Sequence, residues 1–467
     1  MNQDISVVIL AAGLGTRMRS KRAKVLHRAG GLTLIEHVVK MASHITSPDR
    51  ITVVVGHQGD QVRATLTKGG SEPGVQFVEQ VQQHGTGDAL KICRPAVAGR
   101  SRFVLVVYGD CPMLSAETIQ RLIDRQIAGN SAATLITTKL PDPRGYGRVI
   151  LNEQGNVEGI VEQKAATPKQ LEINLINSGI YCFRDDLLWK YIDEIVPNNP
   201  AREYYLTDMA DILTRAGHTL APMEVDDSFE LLGINNRVEL AELDRIFRNR
   251  KARELMLDGV TIEKPETVTI DAQVRIGMDT IIGPFAQVLG DTVIGEDCRI
   301  GAGAIIQNSQ IGDAVEILPL TIVAASRLDS GAHVGPFARL RMQNHVESGA
   351  HIGNFVELKK THLGAGAKAS HLAYLGDSEI GAKANIGAGT ITCNYDGVLK
   401  HHTKVGAGAF VGSNSTLVAP VVVGDGSYIG AGSVITKQVP PEALALGRSH
   451  QIIKPGWVAK RKAQASE

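Results

Sequence analysis

Short β-branched runs alternate with amphipathic stretches through residues 1–227. Ile5–Leu10, Ile51–Val55, Phe103–Tyr108 and Ala133–Thr138 read as strands, each ending in small or polar residues. Between them, Thr33–Ser43 and Ala116–Ile127 carry apolar residues at helical spacing. This alternation predicts βαβ units on a mostly parallel sheet, with ligands at the carboxyl ends of the strands. The pattern then changes twice. From Asn236 to Leu257, Leu240, Leu243, Ile246 and Phe247 recur among Glu, Arg and Lys with no Gly or Pro, which predicts one solvent-laced helix joining two domains. From Val260 a six-residue beat takes over: Ile276-Gly277, Ile282-Gly283, Ile294-Gly295 and Ile300-Gly301, and later Val405-Gly406, Val411-Gly412, Val423-Gly424 and Ile429-Gly430. An aliphatic residue every six positions, followed by a small corner residue, predicts a parallel β-helix with three short faces per coil. Eighteen residues per coil gives roughly ten coils and a prism roughly 45–50 Å long. A flexible Gly/Ala-rich linker would not keep an aliphatic residue in phase for so long. Between Ile386 and Val405 the spacing is nineteen instead of eighteen, which predicts a loop pushed out around Asn394–Lys404.

Composition fits this picture. A chain of 467 residues is too long for one ordinary core. Aromatics are scarce at 4% and glycines number 49, which favours tight turns and small side chains over large aromatic cores. Lysine plus arginine equals aspartate plus glutamate, 49 against 49, so nothing in the charge points to nucleic acid or an anionic membrane as partner. Cys93, Cys111, Cys182, Cys298 and Cys393 form no CxxC and read as reduced thiols. The apolar run at residues 6–13 is short, follows Asp4 and enters a Gly-rich loop, unlike a signal sequence. A cytoplasmic protein is expected.

The loop Leu10-Ala-Ala-Gly-Leu-Gly-Thr-Arg-Met18 lacks both the GK[ST] of a P-loop and the third glycine of a dinucleotide fingerprint. Its small residues still let backbone N–H groups approach phosphate oxygens. A turn with no ligand would account for the glycines alone. Arg17 and Lys24, just beyond, supply what nucleotide phosphates require, and Asp110 puts a carboxylate at the sheet edge where a metal would sit. In the second half, Arg341 and Lys359 are eighteen apart and should stack as a two-cation clamp for a phosphate; solvated surface charge is the plainer alternative. Ser413 and Ala431, also eighteen apart, should stack and present small residues to a long thin ligand. His371 offers an imidazole, the side chain most used as a general base, although a lone histidine is more often structural. His401 and His402 have no third ligand nearby and read as a solvated loop.

These residues resemble the sugar-nucleotide pyrophosphorylase family. Over residues 5 to about 457 the chain is similar, more closely, to the bifunctional N-acetylglucosamine-1-phosphate uridyltransferase/glucosamine-1-phosphate acetyltransferases. Further matches are Lys24-Val-Leu-His27, Gly85-Thr-Gly87, Tyr108-Gly-Asp110, Gly145-Tyr-Gly-Arg148, Ile160-Val-Glu162, Glu203-Tyr-Tyr-Leu-Thr-Asp208 and Gly233-Ile-Asn235. The resemblance implies a Rossmann-like α/β nucleotidyltransferase domain with a mostly parallel sheet (1–227), a linker helix (228–258), and a left-handed parallel β-helix of hexapeptide repeats with a C-terminal tail (259–467). It implies acetyl transfer from acetyl-CoA to glucosamine-1-phosphate, then uridylyl transfer from UTP to N-acetylglucosamine-1-phosphate, in a homotrimer.

Carried over by position, the resemblance places uridine on Leu10, Ala11, Gly13, Gln80, Gln83, Gly85 and Thr86. The sugar would contact Gly147, Glu162, Asn177, Tyr205 and Thr207, with Tyr108 in the same nucleotide and sugar site. Asp110 and Asn235 would bind Mg²⁺, with Arg17 and Lys24 as catalytic cations. For acetyl transfer it implies His371 as base, Arg341, Lys359, Tyr374 and Asn385 as sugar-phosphate contacts, and Glu357 as a carboxylate orienting the base. Acetyl-CoA would lie on Ala388, Asn394, Tyr395, Ser413, Ala431 and Arg448. Two positions depart from the family pattern: Leu14 stands where lysine is common, and Ala23 replaces a proline, which is expected to leave Lys24 less rigid. An adenylyl- or guanylyltransferase with a β-helix used only for assembly is the first rival, and a non-catalytic scaffold the second. Gln80, Gln83 and the Arg341/Lys359/His371 set argue against the first; Arg17, Lys24, Asp110 and Asn235, with His371, argue against the second.

Overall fold

The computed structural model describes residues 4–67, 74–199, 201–231 and 233–465. The chain divides into two compact units, residues 1–245 and 246–467, with the division falling inside the helix Arg237–Leu257.

In the first unit the β-branched runs form the strands Ile5–Leu10, Ile51–Val55, Phe103–Tyr108 and Ala133–Lys139. The central strand Ile5–Leu10 pairs in parallel with Ile51–Val55 on one side and Phe103–Tyr108 on the other. Leu175–Arg184 is the antiparallel member, lying between Phe103–Tyr108 and Ala133–Lys139. All six residues of Ile5–Leu10 are buried because helices cover both faces of the sheet, which is why the strand reads as a continuous apolar run instead of alternating. Each face has its own core. One packs Leu34–Ile45 and Ala116–Gly129 against Val7, Ile9, Val53 and Leu105; the other gathers Val8, Val104 and Val106 with Leu206, Met209 and Leu213. Leu34–Ile45 begins with a capping box, in which Thr33 accepts from the Glu36 N–H and Glu36 accepts from the Thr33 N–H at 2.7 Å.

In the second unit the six-residue beat becomes three stacked faces. One is an eleven-strand ladder, and the other two belong to a seventeen-strand sheet whose strands Glu357–Leu363 and Tyr374–Ile380 turn a corner and join them. The aliphatic residues point into a single core: Ile282, Val334, Ile352, Leu358 and Val411 have no exposed surface. The glycines that follow them let the next coil close in. A Cβ on Gly301 would lie 2.5 Å from the backbone nitrogen of Pro319.

Coil lengths vary around the expected eighteen. Ile282 pairs with Ile300, eighteen residues on, and Ile306 with Val323, seventeen on. The phase slip is larger than the sequence suggested. Ile386 pairs with Val411, and Val405 with Ile380, each twenty-five residues apart. The nineteen residues from Ile386 to Val405 therefore end on a different face, and the extruded loop adds seven residues to one coil.

Candidate functional sites

The candidate nucleotide site lies at the carboxyl ends of Ile5–Leu10 and Phe103–Tyr108. Leu10 and Ala11 are buried at the start of the Gly-rich loop, and a Cβ on Gly13 would meet nothing within 4 Å. Gly15 has φ of 60°, and a Cβ there would lie 2.6 Å from Lys24 Cβ. Gly15→Ala costs about 1–3 kcal/mol of local strain and displaces Lys24. Uridylyl transfer is expected to fall about tenfold, read by pyrophosphate release; an unchanged rate would show that Lys24 need not be held there.

Four predicted residues meet here. Lys24 Nζ forms an ion pair with Asp110 and donates to Asn235 Oδ1 at 3.0 Å, and Arg17 Nη2 reaches the same oxygen at 2.8 Å. Asn235 is itself held, since its backbone N–H donates to Glu239 Oε2 at 2.7 Å and its amide to the Gly233 carbonyl at 2.9 Å. The neighbouring Cys111 thiol is pushed up by burial and then by the Asp110 charge, so it stays protonated. Ala23, where the family pattern has proline, keeps a proline-like backbone and gains a hydrogen bond that proline could not make. Its φ is −55°, within the range proline fixes, and its N–H, which proline lacks, donates to Gln58 Oε1 at 2.8 Å. Gln58 in turn donates to the Lys21 carbonyl at 2.5 Å. Leu14 is 54% exposed.

Of the other expected uridine contacts, Gln80 is buried and donates to Asp88 Oδ2 at 2.8 Å and to the Gly85 carbonyl at 3.1 Å. Gln83 is exposed beside Gly56, Gly85 has φ of 111° against the Tyr204 carbonyl, and Thr86 Oγ1 accepts from the Leu206 N–H at 3.0 Å. The Tyr108 ring packs on Gly179, where a Cβ would collide with it. Burial and then the Asp110 charge push its phenol up, so it is a donor and not a phenolate. Further along lies a cavity of about 430 Å³ lined by Glu162, Tyr205 and Thr207, and also by Asn198, Asn199 and Asp208. Thr207 Oγ1 donates to Glu162 Oε1 at 3.5 Å, and the Asn177 N–H to the Gly147 carbonyl at 2.9 Å. Burial raises the Glu162 carboxyl.

In the prism, Arg341 and Lys359 pair directly on adjacent coils. Each already has a carboxylate, Arg341 Nε on Glu357 at 2.5 Å and the buried Lys359 on Asp377 at 2.7 Å. Asn394 also donates to Asp377, and a Cβ on Gly376 would strike Tyr374 Oη and Asn394 Nδ2. Lys359, Tyr374, Asp377 and Asn394 thus form one cluster. Lys400, from the extruded loop, joins it: the Lys359 ammonium beside it lowers its pKa. Sequence reasoning passed over Asp377 and Lys400. No spacing rule reaches Lys400, because its loop lies outside the coil phase.

His371 ends the strand Lys368–His371, and its Nδ1 lies 2.6 Å from Asn354 Oδ1. Asn354, on the preceding coil, orients the imidazole, whereas Glu357 is engaged by Arg341. Asn385 is half-buried in the next strand, with its N–H donating to the Ala409 carbonyl at 2.9 Å. Ala388, Ser413 and Ala431 continue the edge that carries Asn354 and His371, where the Gly389 N–H reaches the Leu372 carbonyl at 3.1 Å, the Asn414 N–H the Ala388 carbonyl at 2.7 Å and the Gly432 N–H the Ser413 carbonyl at 2.8 Å. Tyr395 and Arg448 are exposed. His401 is held by Asp396 at 2.7 Å, and no group of three or more His, Cys, Asp or Glu placed to hold a metal occurs among the described residues.

Residues 7–156 match the MobA-like NTP transferase domain family, and residues 273–308 and 402–437 match the bacterial transferase hexapeptide family of six repeats. A sheet domain that transfers nucleotides, followed by a hexapeptide acyltransferase prism, defines a fused transferase with two activities. The bifunctional protein GlmU of Solibacter usitatus is 58% identical over 99% of this chain and 98% of its own length. Those of Koribacter versatilis and a Cyanothece strain are 48% and 44% identical, over 99% and 98% of this chain and 98% and 99% of their own lengths. The chain belongs to the bifunctional GlmU family, and its two activities, acetyl transfer and uridylyl transfer, are the two steps of UDP-N-acetylglucosamine synthesis.

Proposed function

We propose that the loop at residues 10–24, with Asp110 and Asn235, holds UTP and Mg²⁺, and that the cavity beside Glu162 takes N-acetylglucosamine-1-phosphate. The observation that carries this reading is a cation already resting on both candidate ligands: the Lys24 ammonium lies on Asp110 and on Asn235 Oδ1. One carboxylate and one amide oxygen suit a small hard ion that keeps waters and substrate phosphates as its other ligands. When bound, that ion neutralises phosphate charge. The attacking sugar phosphate is already an anion, so the chain's task is alignment and charge neutralisation. Arg17 and Lys24 draw the phosphate oxygens in, and Gln80 and Gln83 flank the base pocket.

In the prism, Arg341, Lys359, Tyr374 and Asn385 bind glucosamine-1-phosphate, while acetyl-CoA lies along Ala388, Asn394, Tyr395, Ser413, Ala431 and Arg448. Nδ1–H of His371 donates to Asn354, which leaves Nε2 free to take a proton from the sugar amine as that amine attacks the thioester carbonyl. The carbon–nitrogen bond forms, the carbon–sulfur bond breaks with its electron pair going to sulfur, and the proton held on His371 Nε2 passes to that sulfur so that coenzyme A leaves as the thiol. The experiment that tests both halves supplies glucosamine-1-phosphate, acetyl-CoA, UTP and Mg²⁺ together; UDP-N-acetylglucosamine is the expected sugar nucleotide, and UDP-glucosamine alone would reject the reading of the prism site.

The working form is a homotrimer in the cytoplasm. No helix among the described residues is long and apolar enough to cross a membrane. The trimer is supported by a ladder of apolar corners, interrupted by Gly303 on the coil between Phe285 and Leu320. Phe285, Leu320, Phe337, Phe355 and Leu372 are all exposed, and all sit at positive φ, where bulky residues are rare. Phe337 and Phe355 stack at 5.4 Å. Such a stripe on a free surface would be an aggregation liability, and a second and third copy remove it from water. Phe355→Asp is expected to shift sedimentation toward a lighter species and to reduce acetyl transfer more than uridylyl transfer; a variant that sediments like the parent would remove this support.

A further inference from the structure

We propose that Asp208 is a specificity-determining residue of uridylyl transfer, its carboxylate accepting a hydrogen bond from a hydroxyl or amide N–H of the sugar phosphate. The inference rests on the reading of the 430 Å³ cavity as the sugar end of that site. Asp208 lines this cavity with Glu162, Tyr205 and Thr207, and its half-buried carboxyl makes no hydrogen bond among the described residues. A carboxyl on a cavity wall with no protein donor of its own keeps its lone pairs open to a ligand's hydroxyl or N–H. Its surroundings sharpen the point. Burial, then the Asp211 and Glu162 carboxylates, push Asp208 up to about 6, with Arg215 pulling the other way. Lys164 also lines the cavity. Above pH 6 the group is an anion that two neighbouring acids repel, and a sugar donor relieves it.

The plainer account is that Asp208 merely starts the helix Asp208–Arg215, where a negative charge favours the dipole. The two accounts separate in kinetics. Asp208→Asn keeps the shape, removes the charge and halves the acceptor capacity. It is expected to raise KM for N-acetylglucosamine-1-phosphate about tenfold, with KM for UTP and the melting temperature little changed. The ratio of parent to variant kcat/KM for the sugar should be about tenfold at pH 8 and shrink toward one below pH 6, as the parent carboxylate takes a proton. The substrate phosphate titrates near the same pH, but it does so for both proteins and cancels in the ratio. Asp208→Glu, which retains the charge, keeps the inflection. A ratio flat with pH, or a UTP KM that rises alongside that of the sugar, overturns the proposal. Glu162→Gln is the control for the cavity: if it raises the sugar KM while Asp208→Asn does not, only the role of Asp208 fails. If neither variant moves it, the cavity is not the sugar site.

Discussion

Asp110→Ala is expected to lower uridylyl transfer at least about a thousandfold while leaving acetyl transfer within about twofold of the parent. Asp110 is the carboxylate that Lys24 pairs with, and it lies just beyond the strand Phe103–Tyr108, all six residues of which are in register with Ile5–Leu10. Its loss leaves the Lys24 side chain, 14% exposed, leaning on the neutral amide oxygen of Asn235 alone. Arg17 and Lys24 are then left sharing Asn235 Oδ1, with Glu239 engaged on the Asn235 N–H, so the site attracts a metal less and keeps only part of its alignment. A thousandfold corresponds to about 4 kcal/mol, the size expected when a charged group at the reacting phosphate is removed from a partly dry site. Asp110→Asn, which keeps the shape that packs against Gly233, should lose nearly as much if charge is the cause. Pyrophosphate release and thiol release measured on one preparation decide the matter. Loss of both activities in a folded protein would refute two separate sites.

The mirror experiment is His371→Ala. Acetyl transfer should drop by about 10²–10⁴-fold, the usual share of a positioned general base, with pyrophosphate release unchanged. The exposed imidazole is held through one contact, Nδ1 on Asn354 at 2.6 Å. Asn354→Ala should therefore lose part of the rate by freeing the ring, and Glu357→Gln should act through Arg341 and the sugar phosphate KM instead. Acetyl transfer that stays near the parent rate in His371→Ala would assign the proton transfer to another group.

The architecture was legible because it is periodic. A fully buried parallel strand must be continuously apolar, and Ile5–Leu10 is. A prism with three faces must repeat an aliphatic residue at a fixed interval, and that interval alone set Arg341 on Lys359. The family resemblance, and no spacing, pointed to Asn235 beside Asp110; Lys24, which opens the short 3-10 helix Lys24–Leu26, touches both across more than two hundred residues. Contacts made by side chains that no period constrains were another matter. Gln58 holding Ala23, Asn354 in place of Glu357 at His371, and Lys400 swinging in from the extruded coil each depend on how a loop or rotamer closes in space. The nineteen-residue interval misled for the same reason: an insertion in a coiled chain changes which face the next aliphatic residue meets, and only strand pairing shows that Ile386 continues at Val411. By itself the sequence determined the two folds, because burial and repeat length are written residue by residue. The tertiary structure decided which partner each side chain takes, because a hydrogen bond is settled by distances of a few tenths of an ångström that no pattern along the chain encodes.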